Sequence, residues 1–154
     1  MALVPLNELP RIGALLGLDP GGRRIGLAAC DPDRILCAPV RTLTRGKFAQ
    51  DAAEIFAEYD QRGCAGMVIG LPLNMDGTEG PRAQSARAFA RNLLKLRDTP
   101  IALHDERLSS AEAHEKLREG GVRAARRKAA VDQLAAALIL EDALRHLAAE
   151  SAGS

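Results

Sequence analysis

The sequence predicts an α/β fold, a mixed five-stranded sheet with helices on both faces. Three short apolar segments separated by turn sequences open the chain, and this order indicates an antiparallel meander. Beyond residue 48, apolar segments alternate with stretches of helical spacing, which is typical of parallel strands joined by helices. The chain has 154 residues, an ordinary length for one domain, so we expect a single domain over 1–154 with an ordered core at about 12–149.

The meander is predicted to contain three strands, the third of them at a sheet edge. Asp-Pro-Gly-Gly at 19–22 and Asp-Pro-Asp at 31–33 have the composition of turns. Pro39 lies inside the third apolar segment, and proline favours an edge strand because it cannot donate a ladder hydrogen bond. The strands are expected at residues 12–18, 24–30 and 35–43.

The second half is predicted to hold two strands and four helices. Thr78 is the expected N-cap of the second helix, with Pro81 in its first turn. Ser109 to Glu112 fits a capping box that opens the third helix, and Gly120-Gly121 ends it. The strands are expected at 65–71 and 100–104, and the helices at 48–59, from Thr78 to about Leu96, at 109–119 and at 125–149.

Composition excludes several classes of protein. A net charge of +1, with 27% charged and 47% hydrophobic residues, excludes a disordered chain and a globally basic nucleic-acid binder, although a local basic patch stays compatible with it. No apolar run approaches the ~18 residues of a membrane span, and residues 1–10 do not resemble a signal peptide. We therefore expect a cytoplasmic protein with no membrane partner. Cys30, Cys37 and Cys64 form no CxxC pair and are expected to be reduced, structural thiols.

Carboxylates follow two of the predicted strands. Asp19 ends the first strand, where open α/β sheets place their sites, although Asp-Pro-Gly is also a common turn sequence. Asp105 and Glu106 follow the fifth strand, and because alternate residues point to opposite faces, only one of them is expected to meet Asp19. The alternative for this pair is a solvated charged loop.

Asp132 lies on an apolar face of the last predicted helix and therefore needs a partner. Lys128, four residues earlier, is one candidate, and a metal ion is the other. If three carboxylates converge, each pair about 4 Å apart repels by roughly 4 kcal/mol at an effective dielectric near 20. Oxygen ligands then favour Mg²⁺ or Mn²⁺. The three histidines, His104, His114 and His146, show no metal-binding spacing and are expected to be structural or surface residues.

Four segments together resemble the YqgF/RuvX family of bacterial nucleases, which are described as Holliday-junction-resolvase-like or as pre-16S rRNA nucleases. The resemblance covers about residues 13–146. Its segments are Leu18-Asp19-Pro20-Gly21 with Arg24-Ile25-Gly26, Gly70 to Gly77 (GLPLNMDG), His104 to Ser109 (HDERLS), and Lys128 with Val131-Asp132 and Ala135-Ala136.

The resemblance implies a ribonuclease-H-like fold and a metal-dependent endonuclease that acts on structured nucleic acid, at the 5′ end of precursor 16S rRNA. It implies catalytic roles for Asp19, Asp105, Glu106 and Asp132, with Asp19, Glu106 and Asp132 as the ligands of Mg²⁺ or Mn²⁺. The sequence departs from the family in two places. Gly22-Arg23 stands where Thr-Lys is common, and the fourth strand ends in Leu71-Pro72 where junction resolvases carry a glutamate, so the fifth strand must complete the site.

A basic segment is the predicted contact with nucleic acid. Residues 118–128 carry five basic residues and one acid, a net +4 in a nearly neutral chain. With no Trp and one Tyr, binding should follow the phosphate backbone and depend weakly on sequence. A solvated loop is the alternative for this segment, and an ordinary turn is the alternative for the loop at 71–77. The expected nucleic-acid-binding residues are Arg24, Asn74, Arg107, Arg123, Arg126, Arg127 and Lys128.

Other functions fit parts of the same pattern. A Holliday-junction-resolvase-like DNA nuclease and a non-catalytic RNA-binding ribosome-assembly factor both stay open, and Mn²⁺-dependent RNA cleavage would separate them from the leading hypothesis. An actin-like ATPase fragment also begins with Asp-x-Gly after a first strand, but that fold needs two such domains. We expect precursor rRNA, more than a DNA junction, to be the partner of a monomer or weak homodimer.

Overall fold

The computed structural model describes the backbone of residues 3–105 and 124–152, and the side chains of 3–105 and 131–150. A short 3₁₀ turn at Leu6–Glu8 precedes the first strand. The main elements are β1 (Ala14–Pro20), β2 (Arg24–Cys30), β3 (Cys37–Thr44), α1 (Phe48–Gln61), β4 (Cys64–Leu71), α2 (Pro81–Leu96), β5 (Ile101–Asp105) and α3 (Ala124–Ala152). The helix expected at 109–119 lies outside the described residues.

The strands form one mixed sheet in the order β3-β2-β1-β4-β5. Hairpin-like connections pair β1 with β2 and β2 with β3 antiparallel. Strand β4 runs parallel to both β1 and β5, so the carboxyl ends of β1, β4 and β5 meet at one edge. This confirms the predicted meander followed by alternation, and it places Pro39 on the edge strand β3, as expected.

The two faces of the sheet are covered by different helices, which confirms the predicted three-layer arrangement. Leu16 and Leu18 of β1 point into a core shared with α1 and α2. Leu15, adjacent to Leu16 and therefore on the opposite face, packs with Ile139 and Leu140 of α3. No helix in the described ranges is both long and apolar enough to cross a membrane.

Two local predictions are wrong because side chains capture backbone groups. The strand expected from residue 35 begins at Cys37, because Ile35 and Leu36 donate their amides to the Asp31 carboxylate at 2.8 and 2.7 Å. The amide of Leu36, with that of Ile35, also holds the pKa of Asp31 below its ordinary value. Thr78 does not cap α2. Its amide and hydroxyl bond to Asp76 instead.

All three cysteines are free, as expected. Cys30 is buried, and its Sγ accepts a hydrogen bond from the Leu15 amide at 3.2 Å. Burial raises the pKa of Cys37 to about 12 and that of Cys64 to about 11. These thiols therefore belong to the packing of the fold.

Candidate active site at the carboxyl edge of the sheet

Asp19 is a buried carboxylate at the carboxyl end of β1, with 6% of its surface exposed. It lies within the strand, because the antiparallel pairing with β2 continues through Asp19 and Pro20. Leu15 and Gly17, at the same parity, contact α3, so alternation directs Asp19 to that face. The strand therefore continues to Pro20, and the turn begins two residues later than the sequence pattern predicts.

Helix α3 brings Asp132 to the strand position beside Asp19. Gly26 is the direct partner of Asp19 in the β1–β2 ladder. A Cβ on Gly26 would lie 1.9 Å from the carbonyl oxygen of Asp132, so the helix backbone rests on this glycine. Four residues further along α3, the Ala136 carbonyl approaches Gly17 in the same way, at 3.1 Å from the position of a Cβ. Glycines at these two positions are what permits the helix to lie this close to β1 and β2.

The carboxylate of Asp132 is paired with Arg24 of β2. Arg24 Nε donates to Asp132 Oδ2 at 2.6 Å, and the side chains are 38% and 18% exposed. The sequence left Lys128 or a metal ion as the partner of this acid, and the structure pairs it with Arg24. The side chain of Lys128 lies outside the described residues.

Asp105 lies on the other face of the sheet. Ile101 and Leu103 of β5 pack with α1 and α2, whereas His104 bonds to α3. By alternation, the exposed Asp105 shares the face of Leu103 and points away from the face of Asp19. Its predicted place in the acidic site therefore has no support from the strand's geometry. Glu106 lies outside the described residues and stays a prediction.

Asn74 follows β4 at the carboxyl edge, the same edge as Asp19. Its Nδ2 donates to Thr78 Oγ1 at 3.0 Å, and its backbone N–H donates to the Thr78 carbonyl at 2.8 Å. Gly77 has a positive φ of 90° and donates to the Asn74 carbonyl at 2.8 Å. Asn74 therefore closes the loop before α2, and contact with nucleic acid stays a prediction for it.

The turn after Asp19 is braced by a residue that the sequence pattern did not reveal. Arg45 Nη1 donates to the Gly21 carbonyl at 2.7 Å, and its guanidinium lies 5.2 Å from the ring centre of Phe89. Within the turn, the Gly21 amide donates to the Arg24 carbonyl at 2.8 Å. The turn is thus stabilised by Arg45, which lies 24 residues further along the chain. No motif or spacing in the sequence predicts that contact.

A second polar cluster joins β5 to α3. His104 Nε2 lies 2.6 Å from Asp142 Oδ2, and His146 Nε2 lies 3.4 Å from the same oxygen. Burial raises the pKa of Asp142, but the hydrogen bonds from His104 and Arg145 outweigh this and hold it below its ordinary value. The sequence showed no metal-binding spacing among the histidines. In the structure, however, two of them contact one carboxylate oxygen. The Asp-x-x-x-His spacing on a helix was the available signal.

The remaining predicted contacts with nucleic acid fall outside the described side chains. The predicted metal ligand Glu106 also lies outside the described residues, so the structure brings together Asp19, Asp132 and Arg24 from the predicted set. The predicted nucleic-acid-binding residues that are not described are Arg107, Arg123, Arg126, Arg127 and Lys128.

Comparison with known proteins identifies close relatives. A protein of Rhodopseudomonas palustris (strain TIE-1), named "Putative pre-16S rRNA nuclease", is 54% identical over 151 residues, which cover 96% of this chain and 94% of the relative. A protein of the same name from Rhodobacter capsulatus is 51% identical over 140 residues, covering 91% of this chain and 88% of the relative.

The fold is similar to that of two solved structures. RuvC of Thermus thermophilus aligns with a TM-score of 0.53 at 12% identity, covering 88% of this chain and 96% of that one. Its complex with a Holliday junction substrate gives a TM-score of 0.54 at 11% identity, with the same coverage. At this identity the likeness concerns the fold, which is ribonuclease-H-like, as predicted.

The family model described as "RuvX: Holliday junction resolvase" matches residues 13–146. The match includes every strand of the sheet and the part of α3 that carries Asp132. The chain therefore belongs to the RuvX family of nucleases.

Proposed function

We propose that this chain is a metal-dependent endonuclease that cleaves structured RNA at the 5′ end of precursor 16S rRNA. The observation that carries the proposal is the juxtaposition of Asp19 and Asp132, through Gly26, at the carboxyl edge of the sheet. The names of the relatives at 54% and 51% identity support the RNA substrate. A role in ribosome biogenesis would place the protein in the cytoplasm.

The residues at this edge fit a hard divalent cation. Asp19 and Asp132 offer carboxylate oxygens, the ligand type that Mg²⁺ and Mn²⁺ prefer. We include Glu106 as the third ligand, because alternation directs Asp105 to the opposite face. When bound there, such ions would activate a water molecule and stabilise the leaving oxygen of the phosphodiester.

Arg24 is proposed to hold the site in a compact, neutralised state until the cation arrives. Its Nε bond to Asp132 supplies the positive charge that a half-buried carboxylate needs. Within the part of the chain that the structure describes, this contact uses Nε alone. Once Asp132 has another partner, the guanidinium fork suits a substrate phosphate, which places Arg24 among the nucleic-acid-binding residues.

The nucleic acid is proposed to lie along the carboxyl edge and the basic segment. Asn74 shares the edge with Asp19, and its loop is ordered by the bonds to Thr78. The segment at 118–128 adds a net charge of +4. Arg107, Arg123, Arg126, Arg127 and Lys128 would contact phosphates, each contributing about 0.7–0.9 to the slope of log affinity against log salt.

The decisive experiment compares cleavage by the wild-type chain with that by Asp19→Asn and Asp132→Asn. The substrates are precursor 16S rRNA, a labelled RNA hairpin and a four-way DNA junction, each with Mg²⁺ or Mn²⁺. Asp98→Asn is the matched control, because Asp98 is exposed and precedes β5 at the opposite edge. We expect cleavage of the precursor by wild type and Asp98→Asn, and loss of cleavage in both site variants.

Each other outcome replaces the proposal with a specific alternative. Cleavage of the DNA junction without RNA cleavage would indicate a junction resolvase. Tight RNA binding without cleavage in any divalent cation would indicate a non-catalytic assembly factor. Full activity in both purified site variants would show that these carboxylates are not catalytic.

A further inference from the structure

Three metal-ligating side chains converge at a second place on α3, away from Asp132. His104 extends from β5, and Asp142 and His146 lie one helical turn apart on α3. One ligand atom from each of these residues lies within 4.8 Å of the others. His104 is nearly buried, with 11% of its side chain exposed, whereas His146 is 60% exposed and leaves the cluster open to solvent.

We propose that His104, Asp142 and His146 form a binding site for a borderline-soft divalent cation, with Zn²⁺ as its preferred occupant. Two imidazoles and a carboxylate are a three-ligand set typical of zinc, and Mg²⁺ prefers oxygen ligands alone. The site goes beyond the proposed nuclease function, since it needs no carboxylate from that site.

The distances from the two histidines to Asp142 require a small adjustment to accept the ion, and the ligand nitrogens of the two histidines lie within 4.8 Å of each other. Ligand atoms of a tetrahedral zinc ion with bonds near 2.0–2.1 Å lie roughly 3.3 Å apart. His146 Nε2 and Asp142 Oδ2 already stand at 3.4 Å. His104 Nε2 and the same oxygen, hydrogen-bonded at 2.6 Å, must separate by about 0.7 Å, which is within the reach of a side-chain rotation.

The surroundings of Asp142 favour a single ion at this place. Arg145 contacts the other oxygen of Asp142, Oδ1, at 3.2 Å, so Oδ2 is the oxygen that both histidines address. Asp142 is ten residues beyond Asp132, about 15 Å along the helix axis. The two carboxylates of α3 therefore cannot share one ion.

Zinc at this place would fasten α3 to β5. The helix packs extensively on β1, β2 and β3, whereas its described contacts with β5 are few. A bond from each element to one ion adds a cross-link where apolar packing is sparse. Zn²⁺ should therefore raise the thermal midpoint of unfolding, because a ligand that binds the folded state stabilises it.

The test uses the full chain, freed of metal with a chelator and dialysed. Titration with Co²⁺ should give the visible absorption of a tetrahedral ion without a thiolate charge-transfer band, and calorimetry should show one equivalent of Zn²⁺ bound. His146→Ala and His104→Ala should each weaken Zn²⁺ binding by at least about tenfold. His146 is exposed, so its variant keeps the test valid if His104→Ala does not fold.

Two controls exclude other sites. Asp132→Asn must keep the affinity for Zn²⁺, which separates this site from the proposed nuclease site. Cys37→Ser must also keep it, which excludes thiol ligands. Absence of a stoichiometric Zn²⁺ signal in wild type, or unchanged affinity in His146→Ala, would overturn the proposal whatever the nuclease assays show.

Discussion

The two ends of α3 are attached to the sheet by different chemistry. Near Asp132 the helix backbone rests directly on Gly26, and the acid is paired with an arginine that is always charged. Near Asp142 the polar contact with the sheet comes from His104 of β5, His146 bonds to the same acid from within α3, and Ala143 and Leu144 add apolar packing. The first end combines close backbone packing with permanent charge, and the second combines apolar packing with side chains that can also bind a metal ion.

Taken together, the two proposed sites would let one helix serve two kinds of ion. The end at Asp132 offers oxygen ligands beside the buried Asp19, and the end at Asp142 offers nitrogen. Ligand softness would therefore direct Mg²⁺ or Mn²⁺ to one end and Zn²⁺ to the other. Substitutions that affect one end and spare the other test the comparison.

The largest effect is expected where the helix backbone touches the sheet. Gly26→Ala places a methyl group 1.9 Å from the Asp132 carbonyl oxygen and should lower the free energy of unfolding by about 3 kcal/mol. Gly17→Ala, whose Cβ would meet Ala136 and Leu140 at 3.1 Å, should cost about 1 kcal/mol. Gly22→Ala is the control, because nothing lies within 4 Å of its Cβ. Urea unfolding of the three variants measures the order, and an equal effect of all three would contradict the close packing.

Two buried acids should respond in opposite ways. The buried Asp51 accepts the amide of the exposed Gly46 with both carboxylate oxygens at 3.2 Å, so Asp51→Ala removes this hydrogen bond and should cost about 1 kcal/mol. Asp19→Asn should keep or raise stability in chelator, because it removes a negative charge beside Asp132. Thermal unfolding of both variants in chelator gives the comparison. A loss of more than about 1 kcal/mol in Asp19→Asn would indicate a structural role.

Much of the fold could be predicted from the sequence because it depends on local pattern. The apolar segment at 24–30 became β2 without change, and the edge position of Pro39 followed from its missing amide. The predicted start of the third strand was wrong because a polar side chain binds backbone amides that the apolar pattern assigned to the strand. Ile35 and Leu36 are apolar but 77% and 73% exposed, because Asp31 binds their amides.

The candidate site was predictable in part, for a similar reason. Asp19 and Asp132 were identifiable because each is an acid in an apolar context. The partner of Asp132 was not, since Arg24 lies 108 residues away in sequence and only the packing of α3 on β2 brings them together. His104 and Asp142, 38 residues apart, meet because α3 also reaches β5.

Removing Arg24 should separate a charge effect from a structural one. Arg24→Gln should lower the free energy of unfolding by no more than about 1 kcal/mol, because the pair is partly exposed. It should raise the affinity for Mn²⁺, since the cation no longer competes with a guanidinium for Asp132. Arg23→Gln changes the net charge equally at an exposed neighbour and serves as the control. Calorimetric titration that gives equal Mn²⁺ affinity for both variants would refute the competition.

The smallest effect concerns the thiol beneath the second half of α3. Cys37 packs against the apolar cluster that includes Ile139 and Leu140, and burial raises its pKa to about 12. Little thiolate is therefore present at pH values well below that pKa, and alkylation of the folded chain should be slow and should speed up as pH rises towards it.

Molecules in which the histidine end of α3 detaches from the sheet expose Cys37. In those molecules the pKa of Cys37 returns towards the ordinary thiol value, so a variant that detaches this end more often should be alkylated faster. We expect a several-fold faster rate for His146→Ala, with peptide mapping to separate Cys37 from Cys30 and Cys64. Arg24→Gln acts at the other end and should leave the rate unchanged. If both variants accelerate alkylation equally, α3 opens as one unit and its two attachments are not independent.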